Sequence, residues 1–338
     1  METIEELEYK MSQPSQRLVD DLLKIKGDIM ILGVGGKMGP TLAMLAKNAV
    51  RTARLDKRII GVSRFSQGTL KEELESSGIE TIQADLLNEE ELEALPEVEN
   101  IIYMAGNKFG TTGNEHFTWA MNTYLPGRTA EKFKRSKIVV FSTGNVYPHS
   151  YIGGGGSSEE MTPNPLGEYA QSCLGRERIF SHFSHKYHIP QVHFRLNYAI
   201  DLRYGVLVEI ARAVKEKRPI NLNMGFVNVI WQGDANEMAL RSLLHCQSPP
   251  LALNITGPET LSVRWLAERF GEKFGIEPIF EGEEQETALL SNASHSHQLF
   301  GYPSVTIREM MDWTAGWLTN NGELIGKPTH FQERKGNY

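Results

Sequence analysis

The sequence contains few cysteines and no long apolar segment. Only Cys173 and Cys246 occur among its 338 residues, which is too few for a disulfide framework. The opening METIEELEYK is acidic where a signal peptide would carry positive charge and then an apolar stretch. No run approaches the roughly 18 apolar residues that a membrane-spanning helix needs. These absences predict a cytoplasmic protein rather than a secreted or membrane-spanning one.

Basic clusters and metal-ligand patterns are also missing. The net charge is −7 and there is no Lys/Arg-rich run, so the sequence has no electrostatic footprint for nucleic acid or an anionic membrane. Its ten histidines form neither an HExxH pair nor the Cys/His spacing of a zinc site. We therefore predict no nucleic-acid partner, no membrane partner and no metal.

Short β-branched runs alternate with segments of helical pattern between residues 29 and 199. The runs are DIMILGV, RIIGVS, IETIQAD, NIIYMAG, KIVVFST and QVHFRLN. Such alternation indicates βαβ units, and right-handed crossovers then place helices on both faces of the sheet. The predicted fold class is α/β, with a doubly wound, mostly parallel sheet of the Rossmann type.

A glycine trio follows the first predicted strand. Gly33, Gly36 and Gly39 form a GxxGxxG pattern that also contains Lys37 and Met38, at the start of a predicted helix. Glycines there permit a tight turn, close approach of the backbone to a pyrophosphate, and close helix packing. A bare turn is the alternative for an isolated trio. After the first strand of a long βα series, the pattern predicts a dinucleotide site.

The end of the second strand bears on the choice between NAD and NADP. An acidic residue there would bind the ribose 2′-hydroxyl of NAD, but this chain has Ser63 and Arg64. A guanidinium and a hydroxyl suit a 2′-phosphate, so NADP is favoured over NAD; a solvated surface arginine is the alternative. Asp85, after the third strand, is predicted either to contact the adenine or to cap the next helix.

The chain divides into three predicted parts. Residues 1–28 form a helical arm with a helix at 16–26, and residues 29–199 form the dinucleotide-binding domain, with 226–250 packing back on it. Residues 200–225 and 251–338 form a smaller C-terminal α/β substrate domain. Helices are predicted in this domain at 206–217, 262–274 and 306–319, and in the 226–250 segment at 234–245.

Several separated stretches together resemble the extended short-chain dehydrogenase/reductase family, the NAD(P)-dependent epimerases and dehydratases. Besides the glycine trio they are MAG at 104–106, AMNTYLPG, FSTGNVY, TPNPLGEYAQS, VNVIWQGDANEMAL and LALNITGPETLSVRWLAE. The match runs over about residues 29–320 in the family's order. The resemblance implies the fold of this family and a nicotinamide cofactor.

The resemblance also implies the roles of individual residues. Tyr169 would be the acid/base that exchanges a proton with the substrate, and Thr143 would hydrogen-bond the substrate oxygen; local structural roles are the alternatives for both. A positioned phenol can contribute about 10²- to 10⁴-fold to the rate. The further implied contacts are Ala105, Gly106, Asn122 and Cys173 for the cofactor, and Asn145 and Asn197 for the substrate.

Cys173 stands where the family has a lysine, four residues after its tyrosine. A thiol supplies neither the positive charge nor the hydrogen bonds of that ammonium, and a free tyrosine, with a pKa of about 10, is almost wholly protonated at pH 7. Three hypotheses remain open. Another cation replaces the lysine, with Lys108 first and Arg176 second; the charge of the oxidised nicotinamide and Thr143 suffice; or the protein catalyses nothing. Lys108 as a plain surface lysine is equally compatible.

Two functions follow from this pattern. The first is an NAD(P)-dependent oxidoreductase or epimerase that moves hydride at a hydroxyl-bearing carbon of a small polar substrate: a sugar, sugar nucleotide or sugar acid. The alternative is a non-catalytic dinucleotide-binding regulatory or scaffold protein. The resemblance further implies a homodimer formed through the helices at 115–135 and 168–184, and a substrate lid at the GGGGSS tract, 153–158.

Overall fold

A seven-stranded parallel sheet organises the larger part of the molecule, with the strand order β7-β6-β5-β4-β1-β2-β3. The computed structural model describes residues 1–66, 68–108 and 113–336; residues 67, 109–112 and 337–338 lie outside this description. The predicted doubly wound α/β fold is confirmed. The strands are Ile29–Leu32 (β1), Ile59–Ser63 (β2), Glu80–Gln83 (β3), Asn100–Tyr103 (β4), Lys137–Thr143 (β5), Gln191–Leu196 (β6) and Leu251–Ile255 (β7).

Helices cover both faces of this sheet. The central strand β1 is buried along its whole length, and its residues alternate between two apolar cores, Ile29 and Ile31 in one, Met30 and Leu32 in the other. This is the period of two that a strand covered on both faces requires. The helices of this part are Gly39–Thr52 (α3), Leu70–Ser76 (α4), Glu89–Glu93 (α5), Glu115–Trp119 (α6), Leu125–Lys132 (α7) and Gly167–Tyr187 (α8), with a π-helical turn at Ala120–Tyr124 between α6 and α7.

The N-terminal arm contains two helices, Ile4–Met11 (α1) and Gln16–Leu22 (α2). Only the second lies within the predicted 16–26 segment. Both begin at a hydroxyl cap, because Thr3 and Ser15 each accept a hydrogen bond from a backbone N–H of the first turn.

The smaller part packs three helices around its own core: Val206–Lys215 (α9), Val263–Phe274 (α11) and Ile307–Thr319 (α13). We call it the cap. Helix α10, Gln232–Arg241, lies against α3 of the sheet part, and α12 covers Ser294–Phe300. One boundary differs from the prediction. Leu251–Ile255 was placed in the substrate domain, but it pairs with β6 as the edge strand of the main sheet.

The GGGGSS tract is anchored at its C-terminal end, and its role as a substrate lid stays a prediction. It includes a 3₁₀ turn at Ile152–Gly154, and its buried Ser157 exchanges backbone hydrogen bonds with Leu290 and Asn292. These contacts hold the tract against the 290–292 segment, and the cavity described below is lined by other residues.

Within the described part of the chain, no helix is both long enough and apolar enough to cross a membrane.

Candidate active site

The glycine turn connects β1 to α3. Gly33 has φ +90°, and a Cβ there would lie 2.8 Å from the backbone nitrogen of Ala105 on the neighbouring chain segment. A Cβ on Gly39 would collide with the carbonyl of Val34, so this glycine lets the helix start against the turn. The structure therefore gives Gly33 and Gly39 the turn and packing roles predicted from the sequence, while Gly36 faces the adjoining cavity.

The carboxyl ends of β1, β4, β5 and β6 face a cavity of about 600 Å³, within the range of small-molecule sites. The cap closes its other side through Tyr204 and Val206. Most of the predicted site residues meet here although they come from distant segments. Those that line the cavity are Gly33, Gly36, Lys37, Met38, Arg64, Gly106, Lys108, Thr143, Asn145, Tyr169 and Asn197.

Three predicted cofactor contacts lie behind the cavity wall. Ala105 is buried against Gly33, and the hydroxyl of Ser63 lies under the turn, close to where a Cβ on Gly35 would be. Cys173 is completely buried. These side chains support the wall and do not line the space where a ligand would bind.

Asp85 has neither a place in the cavity lining nor the predicted capping role. Its carboxylate accepts a hydrogen bond of 3.0 Å from the backbone N–H of Leu87. Asn88 caps helix α5 instead, because its side-chain oxygen accepts from the N–H groups of Glu90 and Glu91. The capping alternative for Asp85 is therefore wrong, and the adenine contact stays a prediction.

Asn122 also lies behind the cavity, fully buried in the π-helical turn. Its side-chain amide donates to the carbonyl of Asn107 at 2.8 Å, and its oxygen accepts from the N–H of Asn107 at 2.8 Å and from Arg176 at 2.6 Å. Asn122 thus fixes the loop after β4 that carries Gly106 and Lys108. Its predicted direct cofactor contact is corrected to a positioning role for that loop.

Tyr169 and Thr143 meet at one end of the cavity. Thr143 ends β5, and its hydroxyl donates to the side-chain oxygen of Asn145 at 2.9 Å. Tyr169 lies in the first turn of α8 and shares side-chain hydrogen bonds with Thr143 and with Cys173. Two hydroxyls and the amide of Asn145 therefore face the same space, as a site for a substrate oxygen requires.

The phenol of Tyr169 is strongly biased towards its protonated form. Burial raises its pKa well above the ordinary value, and the neighbouring Cys173 raises it further. Burial likewise raises the pKa of the Cys173 thiol, which packs against Val146 and Tyr147. The thiol is thus a small buried group, not an anion or a redox centre.

Both predicted substitute cations are close to Tyr169. The ammonium of Lys108 lies 5.9 Å from the centre of the Tyr169 ring. Arg176 lies one turn beyond Cys173, where its charge opposes the rise in the pKa of Tyr169. Its guanidinium is held behind the wall by the Phe141 carbonyl, at 2.8 Å, and by Asn122.

The cavity contains residues that the sequence did not indicate. Tyr204 is one of them, and its ring packs directly on Lys37, whose ammonium lies 3.0 Å from the ring centre. Lys327 and Thr329, near the C-terminal end, also line the cavity. Each lies in an irregular segment far from the glycine turn, and no motif marks these positions, so sequence reasoning had no signal for them.

A nicotinamide dinucleotide fits this set of residues. Glycine backbone of the Gly33–Gly39 turn faces the cavity. Positive charge is added by Lys37, Arg64, Lys108 and Lys327. None of the lining side chains among the described residues is acidic. Glycine backbone and cations suit a diphosphate. Within residues 1–66, 68–108 and 113–336, no group of three acidic, histidine or cysteine side chains could hold a metal ion.

Similar solved structures share this fold. A variant of the UDP-glucuronic acid 4-epimerase of Bacillus cereus, in complex with UDP-4-deoxy-4-fluoro-glucuronic acid and NAD, is 17% identical with a TM-score of 0.70 over 87% of this chain and 99% of that one. The UDP-glucose 4-epimerase of Thermus thermophilus, in complex with NAD, is 18% identical with a TM-score of 0.68 over 85% and 97%. That of Thermotoga maritima, with UDP-glucose, is 16% identical with a TM-score of 0.67 over 87% and 99%.

No protein-family model matches the chain, and neither does any curated protein. The structural likeness therefore establishes the fold: the chain shares the fold of these epimerases, in agreement with the doubly wound α/β architecture that the sequence predicts.

Proposed function

We propose that this protein is an NAD(P)-dependent oxidoreductase or epimerase that moves hydride at a hydroxyl-bearing carbon of a sugar, sugar nucleotide or sugar acid. One observation carries the proposal: the hydroxyls of Tyr169 and Thr143 meet at one end of a cavity that also reaches the glycine turn. The names of the similar structures, epimerases with NAD and UDP-sugars, support it.

The chain's own residues supply binding and proton transfer. Thr143 and Asn145 form one hydrogen-bonded pair, which can hold a substrate hydroxyl or carbonyl oxygen beside Tyr169. A bound nicotinamide would supply the acceptor or donor of hydride. Tyr169 then gives a proton to the substrate oxygen when a carbonyl is reduced, and takes one when a hydroxyl is oxidised.

The protonated phenol favours one of these two directions. With its pKa raised by burial and by Cys173, Tyr169 is ready to act as an acid but needs help to act as a base. Arg176 gives part of that help from behind the wall, and the ammonium of Lys108 lies 5.9 Å from the centre of the Tyr169 ring. We propose that these two cations together replace the lysine of the family pattern.

Removal of the phenolic hydroxyl tests the proposal. Tyr169→Phe should abolish turnover of a panel of sugars, sugar nucleotides and sugar acids, read as nicotinamide absorbance or epimerised product, while dinucleotide affinity is retained. Tyr302→Phe is the matched control, because Tyr302 is 73% exposed and far from the cavity lining. A wild-type protein that binds dinucleotide but turns over none of the panel would favour the regulatory or scaffold alternative.

The preference for NADP over NAD rests on Arg64. Its side chain is exposed and lines the cavity beside the glycine turn, at the end of β2. We expect NADPH to bind more tightly than NADH, and Arg64→Ala to weaken NADPH several-fold while NADH is little changed. Equal affinities in the wild-type protein would contradict the preference, and the similar structures with NAD leave it open.

A homodimer is the proposed assembly. The two helical segments named for it lie side by side, and their outer faces expose Trp119 and Tyr124. Light scattering of the purified protein should give twice the chain mass, and Tyr124→Glu should give the mass of one chain.

The cytosol is the proposed location, since both cysteines are free thiols.

A further inference from the structure

The segment 323–336, which we call the strap, returns from the cap to the active-site cavity. It follows helix α13 and begins with a hydrogen bond of 3.0 Å from the N–H of Ile325 to the carbonyl of Arg203. Phe331 is 1% exposed in the cap core, so the middle of the strap is an integral part of that core. The strap is therefore a docked element and not a loose tail.

Three further contacts fasten the strap, whose Lys327 and Thr329 line the cavity. Thr329 donates from its N–H and its hydroxyl to the carboxylate of Glu209 on α9, the hydroxyl bond being 2.8 Å long. Arg334 donates to the Thr287 carbonyl at 2.7 Å. At its far end, Gly336 lies directly on the backbone of Gly167, two residues before Tyr169, and neither position has room for a Cβ.

The strap brings a positive charge to the cavity. Lys327 lines the cavity, and its ammonium acts on Lys37 of the glycine turn together with that of Lys108. Burial and these two cations lower the pKa of Lys37 to about 7. The lining side chains among the described residues include no acidic group, and Glu209 and Asp201, which lie outside the lining, offset only part of this repulsion. An anion bound between Lys37 and Lys327 would relieve the repulsion.

We propose that the strap is a latch over the bound dinucleotide and that Lys327 binds the diphosphate. The inference rests on the proposed function, because it needs a dinucleotide at the glycine turn. It places the diphosphate between two cations, Lys37 on the turn and Lys327 on the strap. It also means that a dinucleotide enters and leaves only when the strap is released, which suits a reaction that regenerates its cofactor within each turnover.

Equilibrium binding tests the role of Lys327. Lys327→Gln should weaken NADH and ADP-ribose equally, by about tenfold, which is the loss expected for one charge-assisted contact, and should reduce the salt dependence of both. Equal losses assign the contact to the diphosphate, since ADP-ribose has no nicotinamide. Lys335→Gln is the matched control on the same strap, because Lys335 is exposed and outside the cavity lining.

Release kinetics test the latch. Thr329→Val removes the strap's hydroxyl bond to Glu209, and NADH should then dissociate several-fold faster in a stopped-flow chase, with an unchanged circular dichroism spectrum. Unchanged affinity in Lys327→Gln, or an unchanged release rate in Thr329→Val, would overturn the inference and leave the proposed function standing. A wild-type protein that binds no dinucleotide would overturn both the inference and the proposed function.

Discussion

At the scale of single residues, Cys173 and Arg176 together occupy the wall behind Tyr169. The thiol is completely buried, and the guanidinium one turn further is fixed by two hydrogen bonds. A lysine at position 173 would place an ammonium beside that guanidinium in a buried space. Arg176 already supplies a buried cation on this face of α8, so a lysine at position 173 would be a second one.

Restoring the lysine should therefore damage the protein. Cys173→Lys is expected to lower the free energy of unfolding by about 3 kcal/mol or more, because it adds an unpaired charge next to Arg176. Cys173→Ala, which leaves only a small cavity, should cost about 1 kcal/mol. Urea denaturation measures both. A Cys173→Lys variant that is as stable as the wild type and more active would show that the site merely lacks its lysine.

The raised pKa of Tyr169 predicts unequal pH profiles for the two directions. The phenol must be protonated to reduce a carbonyl, and it stays protonated throughout the neutral range. Reduction should thus be independent of pH from about 6 to 9, whereas oxidation should rise by about tenfold per pH unit without a plateau. Initial rates in each direction check this. A plateau of the oxidation rate near neutral pH would mean that a bound cation lowers the pKa far more than Arg176 does.

At the scale of secondary-structure elements, a buried polar network joins α8 to β5 and β6. Glu177 of α8 accepts from Ser142 at 2.6 Å and from Nε and Nη2 on one edge of the Arg195 guanidinium, at 2.9 and 2.7 Å. Arg195 also donates to the hydroxyl of Tyr147. The network orients the helix that carries Tyr169 against the strand that carries Thr143.

Loss of the Glu177 charge should destabilise this junction. Glu177→Gln leaves the guanidinium of Arg195 buried without its counter-charge, which costs about 3 to 5 kcal/mol in comparable cases. The pKa of Glu177 is lowered by Arg195 despite burial, so its contribution is present above the unfolded pKa of about 4.3 and is lost as pH falls. His193, 3.9 Å away, has its pKa lowered to about 4 by burial and adds to the loss in acid.

Denaturation by urea at several pH values measures this effect. The wild-type protein should lose stability from about pH 6 downward as His193 becomes protonated, and lose more below about pH 4.3 as Glu177 becomes protonated; the variant should lack the second, more acidic part of the loss. Parallel curves for the two proteins would mean that Glu177 is not charged in the native state.

The sequence predicted elements well where the local pattern and the tertiary environment agree. Strand β1 and helix α3 surround a glycine turn whose geometry only glycine allows, and they form where expected. The segment Leu251–Ile255 was misplaced because its strand pattern does not tell which sheet it joins. The π-helical turn at Ala120–Tyr124 was also missed, since its cause is the long-range bonding of Asn122.

At the scale of the whole molecule, the N-terminal arm connects the two cores. Leu7 and Met11 of α1 are buried in the cap core, whereas Leu18 and Leu22 of α2 are buried in the sheet core. Ion pairs reinforce both ends, Glu8 with Arg203 at 2.9 Å among them. The arm thus holds the two walls of the cavity together.

Truncation of one arm residue should show this contribution. Leu18→Ala is expected to lower the free energy of unfolding by about 2 to 5 kcal/mol, since Leu18 is fully buried. Leu23→Ala is the control: Leu23 is 58% exposed, and its loss should stay within about 0.5 kcal/mol. Thermal and urea denaturation compare the two. Similar small effects would mean that the arm is only loosely attached.

Much of the candidate site could be predicted because its residues follow the ends of parallel strands. Thr143 is the last residue of β5 and Lys108 follows β4, and such strand ends meet at one edge of the sheet. Lys327 and Thr329 could not be predicted, since only the folding of the strap over the cap brings them to that edge. Asn122 was misassigned because its position in the sequence matches a cofactor contact, whereas in the structure its side-chain amide is used by a buried hydrogen-bond network.

A crystal structure of the protein with a nicotinamide dinucleotide would test the central claim most directly. The account predicts the diphosphate at the Gly33–Gly39 turn and the nicotinamide ring beside Tyr169, with space for a substrate oxygen about 3 Å from the hydroxyls of Tyr169 and Thr143. A nicotinamide ring that lies outside this cavity, or one separated from Tyr169 by other side chains, would contradict the proposed hydride chemistry.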